Sequence, residues 1–210
     1  YRLNVDGTET HRLIEQALEV LVNLEHRGAA GSDPDTGDGA GILFKMPHAF
    51  FNRVSQDLNI NLPEAGHYGV GMVFLPQEED LRVRVQREID AGFTEEGFTV
   101  LGWRDVPTDP SAIGYLARDV MPVIRQVIVA ERGDLSVDFN SDTFERHLYI
   151  ARRQIERRVS SLTESAPEQD LDAFYISSLS GRTILYKGLL MGTQIADFYP
   201  DLSQPDVTTS

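Results

Sequence analysis

Apolar residues recur along this chain at two different periods, and segments of the two kinds alternate from one end to the other. Ile14, Leu18 and Val22 fall four apart, with Ala17 and Leu21 on the same stripe, which predicts a helix over "HRLIEQALEVLVNLEHRG". Thr8 or Thr10 is placed to cap its start, and Gly28 to supply a left-handed residue past its end. "GILFKMP" then predicts a buried strand stopped by Pro47. "HAFFNRVSQDL" returns to helical spacing through Phe50, Val54 and Leu58, and "HYGVGMVFLP" is strand-like. Next come helical "EEDLRVRVQREIDAGF", strand-like "FTVLGWRDVP", and "DPSAIGYLARDVMP", a helix with Asp109 as cap and Pro110 in its first position. "VIRQVIVAE" is a β-branched strand, and "FERHLYIARRQIERRV" is expected to start extended and end helical. "AFYISSLSGRTILYKGLL" reads as a hairpin with arms Ala173–Leu179 and Thr183–Leu189 around Ser180-Gly181-Arg182. "TQIADFYPDL" predicts a short helix before a polar tail. Such intermixing requires an α/β or α+β domain, and periodicity alone does not choose between them.

Charge and cysteine content narrow the function classes. The formal net charge is -14 and the pI about 4.7, which disfavours nucleic-acid phosphates and anionic membranes as partners. No residue is cysteine, so disulfides, thiolate metal sites and a cysteine nucleophile are excluded within these 210 residues. No apolar run approaches the length of a membrane span, and "YRLNVDGTET" lacks the zones of a signal peptide. A length of 210 residues suits one domain, or one large domain with an appendage, and there is no repeat, linker or low-complexity segment.

The stretch "LEHRGAAGSDPDTGDGAG", Leu24 to Gly41, carries the strongest chemical suggestion. It sets five glycines after His26 and Arg27. One reading is purely architectural: positive charge at the end of a helix complements its dipole, and glycines serve a tight connection. A phosphate cradle fits poorly, because "GDGAG" precedes a strand instead of opening a helix. A calcium loop also fits poorly, since Gly37 stands where a ligand is wanted and Phe44 where the closing glutamate belongs. A fourth reading is recognition of a carboxylate by the planar fork of Arg27, with glycines allowing close backbone approach.

"NLEHRGAAGSDPDTGDGAGILFKMPHAFF" resembles the start of the glutaminase domain of glutamate synthase large subunits, a type-2 glutamine amidotransferase. "GVGMVFLP", "LGWRDVP", "QVIVA", "FERHLYIARRQIE" and "FYISSLSGRTILYKGLL" follow in that family's order, so the resemblance covers nearly the whole chain. It implies a four-layer α/β/β/α sandwich of the N-terminal-nucleophile hydrolase type, here incomplete. It also implies that residues 1–210 form a single partial domain, truncated at both ends. The implied activity is hydrolysis of L-glutamine to glutamate and ammonia. An N-terminal cysteine is the family's nucleophile and its own α-amino group the base.

By the same resemblance Arg27 binds the glutamine α-carboxylate, while Gly28, Thr36, Gly37, Asp38 and Gly39 line the loop beside the pocket. The parent enzyme would pass ammonia to 2-oxoglutarate in a synthase domain of the same polypeptide. That domain uses FMN and an iron–sulfur cluster, with electrons from NADPH through an FAD-containing flavoprotein subunit or from ferredoxin. No cofactor or metal is implied for this domain, and the implied location is the cytoplasm, or a plastid in a eukaryote. Tyr1 stands where the "CGVGF"-like start has already passed, and the family's histidine-serine-arginine and histidine-asparagine-glycine-glutamate motifs do not occur. The 210 residues by themselves are therefore expected to be inactive. The alternative is a non-catalytic binding or assembly module derived from the same domain.

Other charged and aromatic groups have plainer readings. Arg152, Arg153, Arg157 and Arg158 sit at helical spacing and are expected to form a solvated, acid-paired face. His26 is expected to be structural, the other histidines lack ligand spacing, and Trp103, Tyr175 and Tyr186 are expected in the core.

Overall fold

The computed structural model describes residues 7–24, 35–133, 140–165, 171 and 173–210. It is a mixed α/β protein with antiparallel sheets, and it comprises two compact units. One is formed by Tyr1–Arg53, Val106–Met121 and Leu185–Ser210, the other by Val54–Asp105 and Pro122–Ile184.

The second unit is built on a four-stranded sheet. Its strands are β2 (Gly69–Leu75), β3 (Phe98–Asp105), β4 (Val123–Glu131) and β5 (Tyr175–Ser180), in the order β3-β4-β2-β5. Every neighbour is antiparallel, with Gly71 opposite Val127, Trp103 opposite Val127, and Val70 opposite Ser180. The side-chain period of two puts Val73, Leu75, Val127, Val129 and Ile176 in one apolar cluster. Helices α3 (Glu79–Glu95) and α5 (Ser141–Ser165) supply its other half through Leu81, Val85, Ile89, Phe144, Leu148, Ile155 and Val159. Gly92 lets these helices approach closely, since a Cβ there would lie 2.6 Å from Ile155 Cγ1.

Capping fixes both helix starts. The Glu78 carboxylate accepts from the amides of Asp80 and Leu81, and Asn140 Oδ1 accepts from Asp142 and Thr143. The Asn140 cap explains why residues 144–159 are helical throughout instead of starting extended: helix α5 already begins at Ser141. Three of the four arginines of that face are acid-paired, Arg152 and Arg153 with Glu156, and Arg158 with Glu88 and Glu95 of α3, while Arg157 is exposed.

The expected hairpin at Ser180-Gly181-Arg182 is not formed. β5 pairs with β2, whereas β6 (Thr183–Gly188) pairs with β1 (Ala40–Lys45) in a separate two-stranded sheet. The reason lies in the turn. Glu145 of α5 accepts from Ser180 Oγ at 2.9 Å and from the Gly181 amide at 2.7 Å, and Arg182 is held by Ser141 and Asp142. Helix α5 thus takes the Ser180 hydroxyl proton, the Gly181 amide and the Arg182 side chain, while the Arg182 and Thr183 amides donate to Ser180 Oγ within the turn.

Trp103 Nε1 donates to Asp90 of α3 at 2.9 Å. Burial raises the Asp90 carboxyl above its ordinary pKa, opposed by that hydrogen bond. A raised folded-state pKa means that the ionised form costs stability at neutral pH, a cost relieved as pH falls. Asp90→Asn keeps an acceptor for Trp103 without the charge. It is expected to stabilise at pH 7 by about 0.5 kcal/mol or less, with the gain vanishing in acid, as read from denaturant midpoints at both pH values.

The first unit contains α1 (His11–Asn23), β1, the first part of α2 (His48–Asp57), α4 (Tyr115–Asp119) and α6 (Ile195–Phe198). Its core holds Ile14, Phe44, Phe50, Phe51, Tyr186 and Tyr199. Phe44 stacks on Tyr186, whose hydroxyl donates to the buried Asp201 at 2.9 Å. Thr10 stands at the cap position of α1 but makes no side-chain cap bond; its backbone pairs with Thr209 instead. Arg53 grips Asp206 through two bonds of 2.7 and 2.9 Å and holds that carboxyl below its ordinary range, fastening the C-terminal residues. The expected single helix over 109–122 is divided. Asp109 does cap, accepting from the Ser111 amide, but it starts only a 3₁₀ turn, Pro110–Ala112, and extended Ile113 and Gly114 separate that turn from α4.

Candidate functional site

Of the residues singled out in the sequence, His26, Arg27 and Gly28 lie outside the described residues. Thr36, Gly37, Asp38 and Gly39 lie together in the short approach to β1. Each is held, or left open, for a different reason.

The carbonyl of Asp35 accepts two hydrogen bonds, from the Gly114 amide at 3.0 Å and from Gln194 Nε2 at 2.7 Å. Both lone pairs of that oxygen are thereby used. Thr36 Oγ1 accepts from the Ala117 amide at 3.4 Å. Ala117 is in the first turn of α4, whose cap residue Gly114 has no side chain to offer, so the threonine supplies the acceptor from a distant part of the chain. Gly37 is buried, and a Cβ there would lie 2.4 Å from the carbonyl carbon and oxygen of Leu190 and 2.5 Å from Met191 N. Only glycine lets these two backbones meet so closely. Gly39 has φ +136, a conformation that L side chains rarely adopt. Asp38 is exposed, a charge left facing water beside the buried Gly37.

The platform beneath this loop is Leu189–Gln194, the segment that follows β6. It is closed on itself: Gln194 Oε1 accepts from the Met191 amide at 2.8 Å, and the Gln194 amide donates to Met191 O at 3.0 Å. Leu190 is buried beneath it. At its other side Gly192 meets the last turns of α1, where a Cβ would lie 2.5 Å from Leu21 O. Gln194 and Gly192 were not picked out from the sequence. A signal for them was present in "KGLLMGTQ", two glycines four apart immediately after a strand, the pattern of a segment over which other backbones cross closely. Among the described residues no group of three or more His, Cys, Asp or Glu is placed to hold a metal ion, and no helix is long and apolar enough to cross a membrane.

Known proteins with related sequences match along the full length of this framework. The family described as "Glutamine amidotransferases class-II" matches residues 2–210. The glutamate synthase [NADPH] large chain of Bacillus subtilis (strain 168) is 46% identical over 199 residues, which is 95% of this chain and 12% of that relative. The ferredoxin-dependent glutamate synthase 2, chloroplastic, of Arabidopsis thaliana is 40% identical over 199 residues, again 95% of this chain and 12% of the relative. The ferredoxin-dependent glutamate synthase 2 of Synechocystis sp. (strain ATCC 27184 / PCC 6803 / Kazusa) is 35% identical over 207 residues, 99% of this chain and 12% of the relative. The chain thus spans about an eighth of the length of these relatives. A match from residue 2 to residue 210, with identities well above 30%, bears out the resemblance read from "HRGA" and "TGDGAG". The chain belongs to the class-II glutamine amidotransferases, of the N-terminal-nucleophile hydrolase type.

Proposed function

We propose that this chain is the glutaminase domain of a glutamate synthase, hydrolysing L-glutamine to glutamate and ammonia for transfer to 2-oxoglutarate. The observation that carries the reading is sequence identity of 46% to a glutamate synthase large chain across 95% of this chain. Arg27 is assigned to the substrate α-carboxylate, where a guanidinium fork makes two charge-assisted hydrogen bonds. Gly28, Thr36, Gly37, Asp38 and Gly39 are assigned to shaping the approach; the close contact of Gly37 with the Leu190–Met191 peptide supports that role for Gly37. The nucleophile is a cysteine outside these residues, since none of the 210 is cysteine. The 210-residue polypeptide alone is accordingly expected to release no ammonia.

We assign residues 1–210 to one partial domain of a longer polypeptide whose synthase domain is the ammonia acceptor. FMN and the iron–sulfur cluster belong to that part, because cluster iron is held by cysteine thiolates and this chain offers none. Electrons come from NADPH by way of a flavoprotein subunit, or from ferredoxin, and the enzyme works in the cytoplasm or a plastid.

The test is ammonia release from glutamine by the full-length polypeptide. Arg27→Ala is expected to raise KM about 10–100-fold while kcat changes much less, because the lost pairing is made in the ground state as well as the transition state. No release by the wild-type protein overturns the reading. That absence of cysteine favours a second reading, a non-catalytic binding or assembly module. Intact mass and N-terminal sequence decide between them: a cysteine ahead of Tyr1 supports the enzyme, and a native start at Tyr1 supports the module.

A further inference from the structure

We propose that Asp38-Gly39 is a site of spontaneous covalent modification, where aspartate converts through a succinimide into isoaspartate and loosens the loop ahead of β1. The reaction needs only two neighbouring residues and does not depend on glutaminase chemistry. The sequence contains two Asp-Gly dipeptides, Asp6-Gly7 and Asp38-Gly39, and the second lies wholly within the described residues. Asp38 is exposed, and among the described residues its carboxylate takes part in no hydrogen bond or ion pair. Other aspartates are fastened: Asp109 by Ser111, Asp142 by Arg182 and Asp206 by Arg53. Those three are followed by Pro110, Thr143 and Val207, not by glycine.

Gly39 meets the second requirement. The attacking atom is its backbone nitrogen, and glycine has no Cβ to screen it. Among the described residues, and its chain neighbours apart, the only atom within 4 Å of its Cβ position is Gly188 O, at 3.6 Å. Both residues precede β1, which begins at Ala40, so the reacting peptide lies outside the strand.

The steps balance without an oxidant or a reductant. Gly39 N gives up its proton and attacks Asp38 Cγ. The N–Cγ bond forms, a Cγ–O bond breaks, and the carboxyl hydroxyl takes up a proton and departs as water. Water then opens the ring at either carbonyl. Breaking the N–Cγ bond restores aspartate. Breaking the bond from Gly39 N to the Asp38 backbone carbonyl carbon leaves the chain running through Cβ and Cγ, which is isoaspartate of unchanged mass.

The product acts through what flanks it. Gly37 is seated against the Leu190–Met191 peptide, and Ala40 begins the strand paired with β6. Isoaspartate lengthens the backbone between them by one carbon–carbon bond, about 1.5 Å. The displacement falls on Gly37 and on Thr36, whose Oγ1 accepts from the Ala117 amide. The freed α-carboxylate is the group that a carboxyl methyltransferase specific for isoaspartate would methylate, with S-adenosylmethionine as the donor.

Peptide mapping of the full-length protein, after prolonged incubation at physiological temperature and neutral pH, tests the site. Electron-transfer fragmentation tells isoaspartate from aspartate. Isoaspartate at residue 38 is expected to exceed that at Asp35, which is followed by β-branched Thr36, by at least about tenfold. Asp38→Glu, which cannot close the same ring, should lower the product at residue 38 by at least about tenfold. Asp38→Asn closes it with loss of ammonia in place of water and should react at least about tenfold faster. In the isomerised wild-type fraction, hydrogen exchange at the Ala117 amide should be about fivefold faster, the loss of one ordinary hydrogen bond.

Protein unfolded in guanidinium gives the reference for the unshielded dipeptide. Isoaspartate at residue 38 in the unfolded protein, but no more than at Asp35 in the folded one, would overturn the proposal and show that the fold protects the site. Absence of the product from both would overturn it as well. Formation at residue 38 with Ala117 exchange unchanged would overturn the loosening of the loop. None of these outcomes depends on ammonia release, so the glutaminase reading stands or falls separately.

Discussion

Phe98→Ala is expected to lower the unfolding free energy of the second unit by about 3–5 kcal/mol, the range for a fully buried aromatic cut back to a methyl. Phe98 opens β3 and has no exposed surface. Its ring meets Phe93 of α3 edge-on at 6.0 Å, Phe144 of α5 at 6.1 Å and the His147 ring at 4.4 Å. One side chain thus joins the sheet to both helices that cover it. Truncation removes apolar burial and also the aromatic pairings, worth about 0.5–1.5 kcal/mol each beyond area. Collapse around the hole is opposed from three sides. Phe93 and Phe144 are locked in the same cluster, and His147 is bonded to Glu131 Oε1 at 2.6 Å. Native-state hydrogen exchange at the slowest amides of β4, Val127 to Val129, measures the loss directly. A change below about 1 kcal/mol would show that the three elements do not share this keystone.

Much of this architecture is legible in the sequence because it rests on local periodicity. The four-residue stripe of Leu81, Val85 and Ile89 is the buried face of α3, and the β-branched run at residues 123–131 is β4, one of the two inner strands. What sequence reading misses is decided by partners far away in the chain. The two arms around Ser180-Gly181-Arg182 have strand character, but Glu145, thirty-five residues earlier, captures the turn and lets the arms enter different sheets. The start of α5 depends on one Asn140 side chain, which hydrophobic periodicity does not register. Asp109 and Pro110 announce a helix start, yet α4 takes its own acceptor from Thr36, eighty-one residues away. The site divides in the same way. The glycine and arginine chemistry of residues 27–39 stands out by composition, whereas Gln194 is an ordinary polar residue until its two bonds are seen.

Gly37→Ala is expected to be the most damaging single-methyl change in the loop, costing about 3 kcal/mol, at the upper end of what one added methyl costs in a packed interior. The obstruction is backbone, the Leu190 carbonyl and Met191 nitrogen, so no rotamer change relieves it. Leu190 is 2% exposed, and the Met191 amide is held by Gln194 Oε1, which leaves Gly37 as the side that must move. Its displacement pulls on Thr36 and Asp35, and with them on the Ala117 amide and the hydrogen bond from Gln194 Nε2 to the Asp35 carbonyl. Gly66→Ala is the matching control. Gly66 has φ +87 but nothing within 4 Å of its Cβ position, so that change carries only the left-handed backbone penalty, about 1–2 kcal/mol. The two variants therefore separate crowding from conformational strain. Gly37→Ala should speed exchange at the Ala117 amide and weaken glutamine binding, whereas Gly66→Ala should do neither. Equal stability loss in the two, with Ala117 exchange unchanged, would mean that the loop does not depend on contact with the Leu190–Met191 peptide, and the platform would lose its part in the site.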